Sequence, residues 1–87
     1  MAAKKLENLQ LYHFNTCPFC MRVRMAMKLM GVSVESKNIH SDSRYRDELV
    51  TGGGKQQVPC LRIEENDNVR WLYESDDIIK YLKQQSA

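Results

Sequence analysis

The chain has 87 residues, 43% of them hydrophobic and 28% charged, with 13 basic against 11 acidic side chains for a net charge of +2. That length suits one domain with a single modest core, and the composition is that of an ordinary globular chain. The small net charge gives no argument for nucleic acid or a membrane surface, and no apolar stretch approaches the roughly 20 residues of a membrane span. Met1 to Asn8 carries positive charge, but no apolar core follows it, so no secretory signal is expected. Three cysteines, an odd number, do not make a disulfide framework. Without an export signal they point to a reducing compartment, and a cytoplasmic protein is expected.

Leu9 to Phe14 is nearly all apolar or aromatic, as in a strand buried on both faces. Pro18 to Met30 has helical periodicity, with Phe19, Val23, Ala26, Met27 and Met30 on one stripe and Arg22, Arg24 and Lys28 off it. Gly31 stops that helix as a left-handed cap. Val32 to Ile39 alternates and reads as a second strand, with Val32, Val34 and Ile39 inward. Ser41-Asp42-Ser43 starts a polar helix whose core face is Tyr45 and Leu49, and Gly52-Gly53-Gly54 ends it. The glycine run lacks the lysine-serine/threonine sequel of a phosphate loop. Pro59 to Glu64 and Val69 to Tyr73 form a hairpin around Glu65-Asn66-Asp67-Asn68. Ser75 caps a last helix from Asp76 to about Gln84, with Ile78, Ile79 and Leu82 as its apolar face. The order β-α-β-α-β-β-α requires a parallel pair first and an antiparallel hairpin added to it. The fold class is therefore α/β, a four-stranded mixed sheet flanked by helices, with residues 1–87 as one domain whose core runs from about 9 to 84.

Chemistry is concentrated in Thr16-Cys17-Pro18-Phe19-Cys20, between the first strand and the first helix. A thiolate at a helix N-terminus faces unpaired backbone N–H groups and the positive end of the macrodipole, which lowers its pKa. Pro18 suits the first helical position because its missing N–H would have no intrahelical partner. Cys20 lies one turn on, where its thiol can resolve a mixed disulfide on Cys17. Cys17 is thus the expected nucleophile and Cys20 the resolver. A zinc site would need more ligands at compatible spacing, and Cys60, His13 and His40 are scattered singly, so no metal is expected. A disulfide closing so small a loop would add little as a structural staple.

Cys17-Pro18-Phe19-Cys20 after a strand, Gln57-Val58-Pro59 before a hairpin and Glu74-Ser75-Asp76 opening the last helix resemble a glutaredoxin of the thioredoxin-like superfamily. The resemblance runs from about Leu9 to Leu82. Leu72 to Leu82 is also similar to the matching stretch in the N-terminal domain of glutathione transferases. The resemblance implies that glutathione is the reductant. It implies a cis Pro59, with the Val58 backbone pairing with the cysteinyl part of glutathione as an added strand would. Phe19 and Gln57 would border the same site. Ser75 and the N–H groups at the start of the last helix would hold the γ-glutamyl carboxylate, and Glu74 or Asp76 its ammonium; a helix N-terminus is an anion site in its own right. Many glutaredoxins carry a lysine three residues before the first cysteine; here that residue is Phe14, leaving Lys55, Arg22 or Gln57 as replacements.

Other residues have simpler readings. Cys60 is expected as a small buried strand residue facing opposite to Leu61 and Ile63. Trp71 is expected in the core, and His13 and His40 in a strand and a loop. Met27 and Met30 belong to the core, while Met21 and Met25 fall on an exposed flank beside Cys20, where they could help dock protein substrates. The expected activity is glutathione-dependent reduction of protein disulfides and protein–glutathione mixed disulfides by a monomeric dithiol enzyme. Two alternatives stand beside it: a glutathione-independent redoxin reduced by thioredoxin reductase, and an iron–sulfur module ligated by Cys17 and external glutathione. Cluster-binding members of the resembled family usually lack a proline at the position of Pro18.

Overall fold

The computed structural model describes residues 4–86; residues 1–3, part of the segment read above for a secretory signal, and residue 87 lie outside them. The elements are β1 (Lys4–His13), α1 (Pro18–Met30), β2 (Val32–Asn38), α2 (Ser43–Gly53), β3 (Cys60–Glu65), β4 (Asn68–Leu72) and α3 (Ser75–Ser86). They form one mixed sheet in the order β2-β1-β3-β4, with β1 and β2 parallel and the other two pairs antiparallel. This is the expected α/β arrangement, and the central position of β1 explains its run of buried Leu9, Leu11, Tyr12 and His13.

Two clusters pack the two faces. Leu9, Leu11, Leu61 and Ile63 of the sheet meet Val23 and Met27 of α1 and Ile78 and Leu82 of α3. Each such aliphatic side chain removed from water contributes about 1.5–3 kcal/mol before entropy is counted. On the other face Tyr12, Cys60 and Leu49 of α2 are joined by Ile39, with Trp71, Tyr73 and Tyr45 partly buried against them. The Tyr12 hydroxyl donates to Glu48 at 2.7 Å and so ties the sheet to α2.

Several boundaries differ from the sequence reading. β1 begins at Lys4 rather than Leu9, and a bulge separates the Lys5 and Gln10 registers with β2. Of its first residues, Lys4 to Asn8, only Leu6 is apolar, so no apolar alternation marks them. Gly52 and Gly53 do not end α2 but lie inside its last turn, and Gly54 is the left-handed cap with φ 87°. A Cβ on Gly52 would run into the Trp71 ring, and one on Gly53 into the Tyr73 ring. The two glycines therefore permit helix and sheet to approach closely. Phe19 leaves the apolar stripe of α1 and is 61% exposed. Cys20, Val23 and Met27 form the buried line instead. Trp71 is only half-buried, because α2 covers the far edge of the sheet incompletely. α3 starts one residue early: the Glu74 carbonyl accepts from the Ile78 N–H at 2.9 Å, so Glu74 takes the capping position expected of Ser75.

Candidate active site at the start of helix α1

Cys17 is the N-cap of α1, with extended backbone angles of φ −81° and ψ 117°. Its sulfur accepts from the Cys20 N–H at 3.3 Å, taking the role usually played by a serine or aspartate oxygen. Pro18 follows at the first helical position, where the lost N–H leaves no helical bond unmade. The Cys17 thiol donates across 3.9 Å to the Val58 carbonyl, reaching from α1 to the loop before β3. All three cysteines are free thiols. Cys20 is fully buried, and burial first, then its hydrogen bond with Cys17, pushes its thiol up to about 12.

The Val58–Pro59 peptide bond is cis. Beside Cys17 a cleft of about 120 Å³ is lined by Phe19, Gln57, Val58, Pro59, Glu74 and Ser75, joined by Tyr73. Six of the residues singled out in the sequence thus meet around one hollow. Neither the Ser75 hydroxyl nor the Glu74 carboxylate makes a hydrogen bond or ion pair among the described residues, and the Val58 N–H has no partner there. A ligand with a carboxylate, an ammonium and a peptide backbone would satisfy all three. The residues present therefore fit glutathione.

Asp76 does not line the cleft; its carboxylate pairs with Arg22 of α1 at 2.7 Å. Of the three replacements for a lysine at position 14, Arg22 is occupied by that pair, and Gln57 lines the cleft. Lys55 stands over the Tyr73 ring, 5.4 Å from its centre, within reach of the rim. Phe14 stacks on His40 with ring centres 4.4 Å apart. Tyr73 is the lining residue that the sequence reading left out. Its signal is positional, since it stands directly before Glu74-Ser75.

Two further groups stand close by. Cys60 is fully buried, and burial pushes its thiol up to about 12, an effect that the adjacent Tyr73 side chain partly offsets. His13 ends β1 on the α1 side of the sheet, 4% exposed, and its Nδ1 has no hydrogen-bond partner among the described residues. Burial, with Arg24 second, holds its imidazole below the ordinary 6.5. Among the described residues no three His, Cys, Asp or Glu side chains converge to hold a metal ion, and no helix is long and apolar enough to cross a membrane.

A cysteine pair at the head of the first helix, a cis-proline loop opposite it and a mixed four-stranded sheet define a thioredoxin-like protein. The family described as glutathione S-transferase, N-terminal domain, matches residues 11–87, and the chain belongs to it. It is 31% identical to Glutaredoxin 2 of Escherichia coli (strain K12) over 74 residues, covering 85% of this chain and 32% of that protein. The chain thus spans about a third of that relative's length. A maleylacetoacetate isomerase from Anaeromyxobacter dehalogenans 2CP-1, solved with dicarboxyethyl glutathione bound, superposes with a TM-score of 0.67 at 25% identity, over 91% of this chain and 37% of that one. A wheat glutaredoxin superposes with a TM-score of 0.65 at 22% identity, over 87% of this chain and 71% of that one, which shows the shared fold. The chain therefore carries a glutathione-related thiol-oxidoreductase fold.

Proposed function

We propose that residues 1–87 are a single glutaredoxin-like domain, with its core from about 9 to 84, that reduces protein disulfides and protein–glutathione mixed disulfides, with glutathione as reductant. The observation that carries this reading is the cleft beside Cys17, where a free serine hydroxyl, a free carboxylate and a free backbone N–H meet at a helix N-terminus. Cys17, as thiolate, attacks the glutathione sulfur of a mixed disulfide. The old S–S bond breaks, its electron pair leaves on the substrate sulfur, and that sulfur takes a proton from water. Cys17 now carries the glutathionyl group, whose γ-glutamyl end suits Ser75 and Glu74 and whose cysteinyl backbone suits Val58. A second glutathione thiolate then attacks that group, leaving as glutathione disulfide and restoring Cys17. With a protein disulfide, Cys20 loses its proton and attacks the mixed disulfide on Cys17, forming the internal disulfide that glutathione later reduces.

A fully buried Cys20 fits the second step, since its thiol is guarded until a sulfur bound at Cys17 comes within reach. Such chemistry suits a reducing, cytoplasmic setting and a monomer. The test is turnover of a small glutathione mixed disulfide, first with glutathione alone and then with thioredoxin reductase in its place. Turnover with glutathione alone, with a raised KM for glutathione in Ser75→Ala and Glu74→Gln, is the expected result. Turnover only with the reductase would move the chain to the glutathione-independent redoxins and leave Ser75 without a ligand.

A further inference from the structure

On the α2 side of the sheet, the face opposite α1 and α3, lies a groove of about 410 Å³, a size common for small-molecule sites. The sheet supplies Tyr12, Lys37, Arg62 and Trp71, one from each strand, and α2 supplies Glu48 and Thr51. Two of its charged groups are only partly used. The Tyr12 hydroxyl and the Lys37 ammonium both donate to Glu48 Oε1, at 2.7 and 2.9 Å. Glu48 Oε2 has no partner among the described residues. The Arg62 guanidinium reaches Gln10 Oε1 at 3.5 Å and Glu64 at 3.8 Å, both long contacts, so most of its donors are unspent. It stands over the Trp71 ring, 5.9 Å from the centre. Lys37 first, then Tyr12, holds the Glu48 carboxyl below the ordinary carboxylate range, and the Arg62 charge adds to this, so Glu48 is ionised at neutral pH. A spare carboxylate oxygen and a spare fork of donors therefore share one groove, with an aromatic ring beside the fork. A simple anion would meet Glu48, and a simple cation would meet Arg62 and Lys37. A ligand bearing both charges answers both groups.

We propose that this groove binds an α-amino acid headgroup, with its carboxylate on Arg62, its ammonium on Glu48 Oε2 and its side chain along Trp71. Planar guanidinium suits a carboxylate, because two parallel N–H donors match its two oxygens. The shared chemistry is the zwitterion, which a free apolar amino acid and the γ-glutamyl end of a glutathione molecule both carry. The groove uses neither Cys17 nor the cleft beside it, and so it stands apart from the thiol-exchange reading.

Trp71 is the only tryptophan in the chain, so its indole N–H gives one NMR signal that reports on this groove. Phenylalanine at millimolar concentration should move that signal saturably. N-acetylphenylalanine, which lacks the ammonium, and phenylalaninamide, which lacks the carboxylate, should each bind about tenfold more weakly. Arg62→Gln should weaken phenylalanine by a similar factor, and Arg62→Lys, which keeps the charge without the fork, by several-fold. Ser75→Ala, in the cleft beside Cys17, should leave phenylalanine binding unchanged. Glutathione forms the second arm. A shift with glutathione that Arg62→Gln removes and Ser75→Ala keeps, with none from phenylalanine, would uphold the headgroup and name glutathione as its source. Equal binding of phenylalanine and its two blocked analogues would overturn the proposal. So would the absence of a saturable shift with both phenylalanine and glutathione. None of these readings needs turnover: a chain that shows the phenylalanine shift but reduces no mixed disulfide would contradict the thiol-exchange reading alone.

Discussion

Under α1 and α3 the sheet is packed with aliphatic side chains, and Leu11, Val23, Ile63, Ile78 and Leu82 are all fully buried. Under α2 the packing is aromatic and polar, and a groove of about 410 Å³ remains between Lys37, Glu48, Arg62 and Trp71. Each side holds one fully buried cysteine, Cys20 under α1 and Cys60 under α2, and in both burial pushes the thiol up to about 12. Of these two, Cys20 has a second sulfur beside it, since its own N–H bonds Cys17, while Cys60 sits beside Tyr73. Burial and proton affinity therefore do not distinguish a redox thiol from a packing one. In the proposed reaction the distinction rests on a neighbouring sulfur at a helix N-terminus, which Cys20 has.

The contrast breaks most visibly at Cys17. Cys17→Ser should reduce mixed-disulfide turnover to the uncatalysed background, whereas Cys60→Ser should leave it intact. Cys20→Ser should keep deglutathionylation and lose reduction of protein disulfides, which a disulfide-linked reporter substrate separates from the first activity. The two faces should also differ in stability. Leu11→Ala should cost about 2–5 kcal/mol in denaturant unfolding, while Tyr12→Phe, which removes only the hydroxyl bonded to Glu48, should cost about 1 kcal/mol. Gly52→Ala and Gly53→Ala fall between these, at about 1–3 kcal/mol, because the new methyl groups must push Trp71 or Tyr73 aside.

The smallest expected effect concerns His13. Its imidazole is held below the ordinary 6.5 in the folded chain, so below about pH 6.5 the unfolded chain takes up a proton that the folded one resists. Stability should be unaffected above that value and decline as the pH falls beneath it. His13→Gln should flatten that part of the stability profile measured by urea unfolding from pH 7 to pH 5.

Most of the architecture was legible because apolar periodicity and cap residues coincide. Pro18 and Gly31 bound α1 where the sequence puts them, Asp42 caps α2, and Leu9 to His13 announces a central strand. The first residues of β1 escaped notice because they pair on one side only and carry a polar pattern. Gly52 and Gly53 were misread as a stop. A glycine needed for close approach looks in sequence like one needed for a turn, and only the Trp71 and Tyr73 rings distinguish the two. The same holds at the candidate site. Cys17, Val58 and Ser75 are signalled by motif, but the lining role of Tyr73 and the pairing of Asp76 with Arg22 depend on how α1 and α3 pack.

The most direct test of Cys17 as the glutathione-carrying sulfur uses a Cys20→Ser chain treated with glutathione disulfide, its intact mass read and its peptides mapped. The account predicts a gain of one glutathionyl group, located on Cys17 and reversed by added glutathione. A group found on Cys60 instead, or no gain at all, would contradict it.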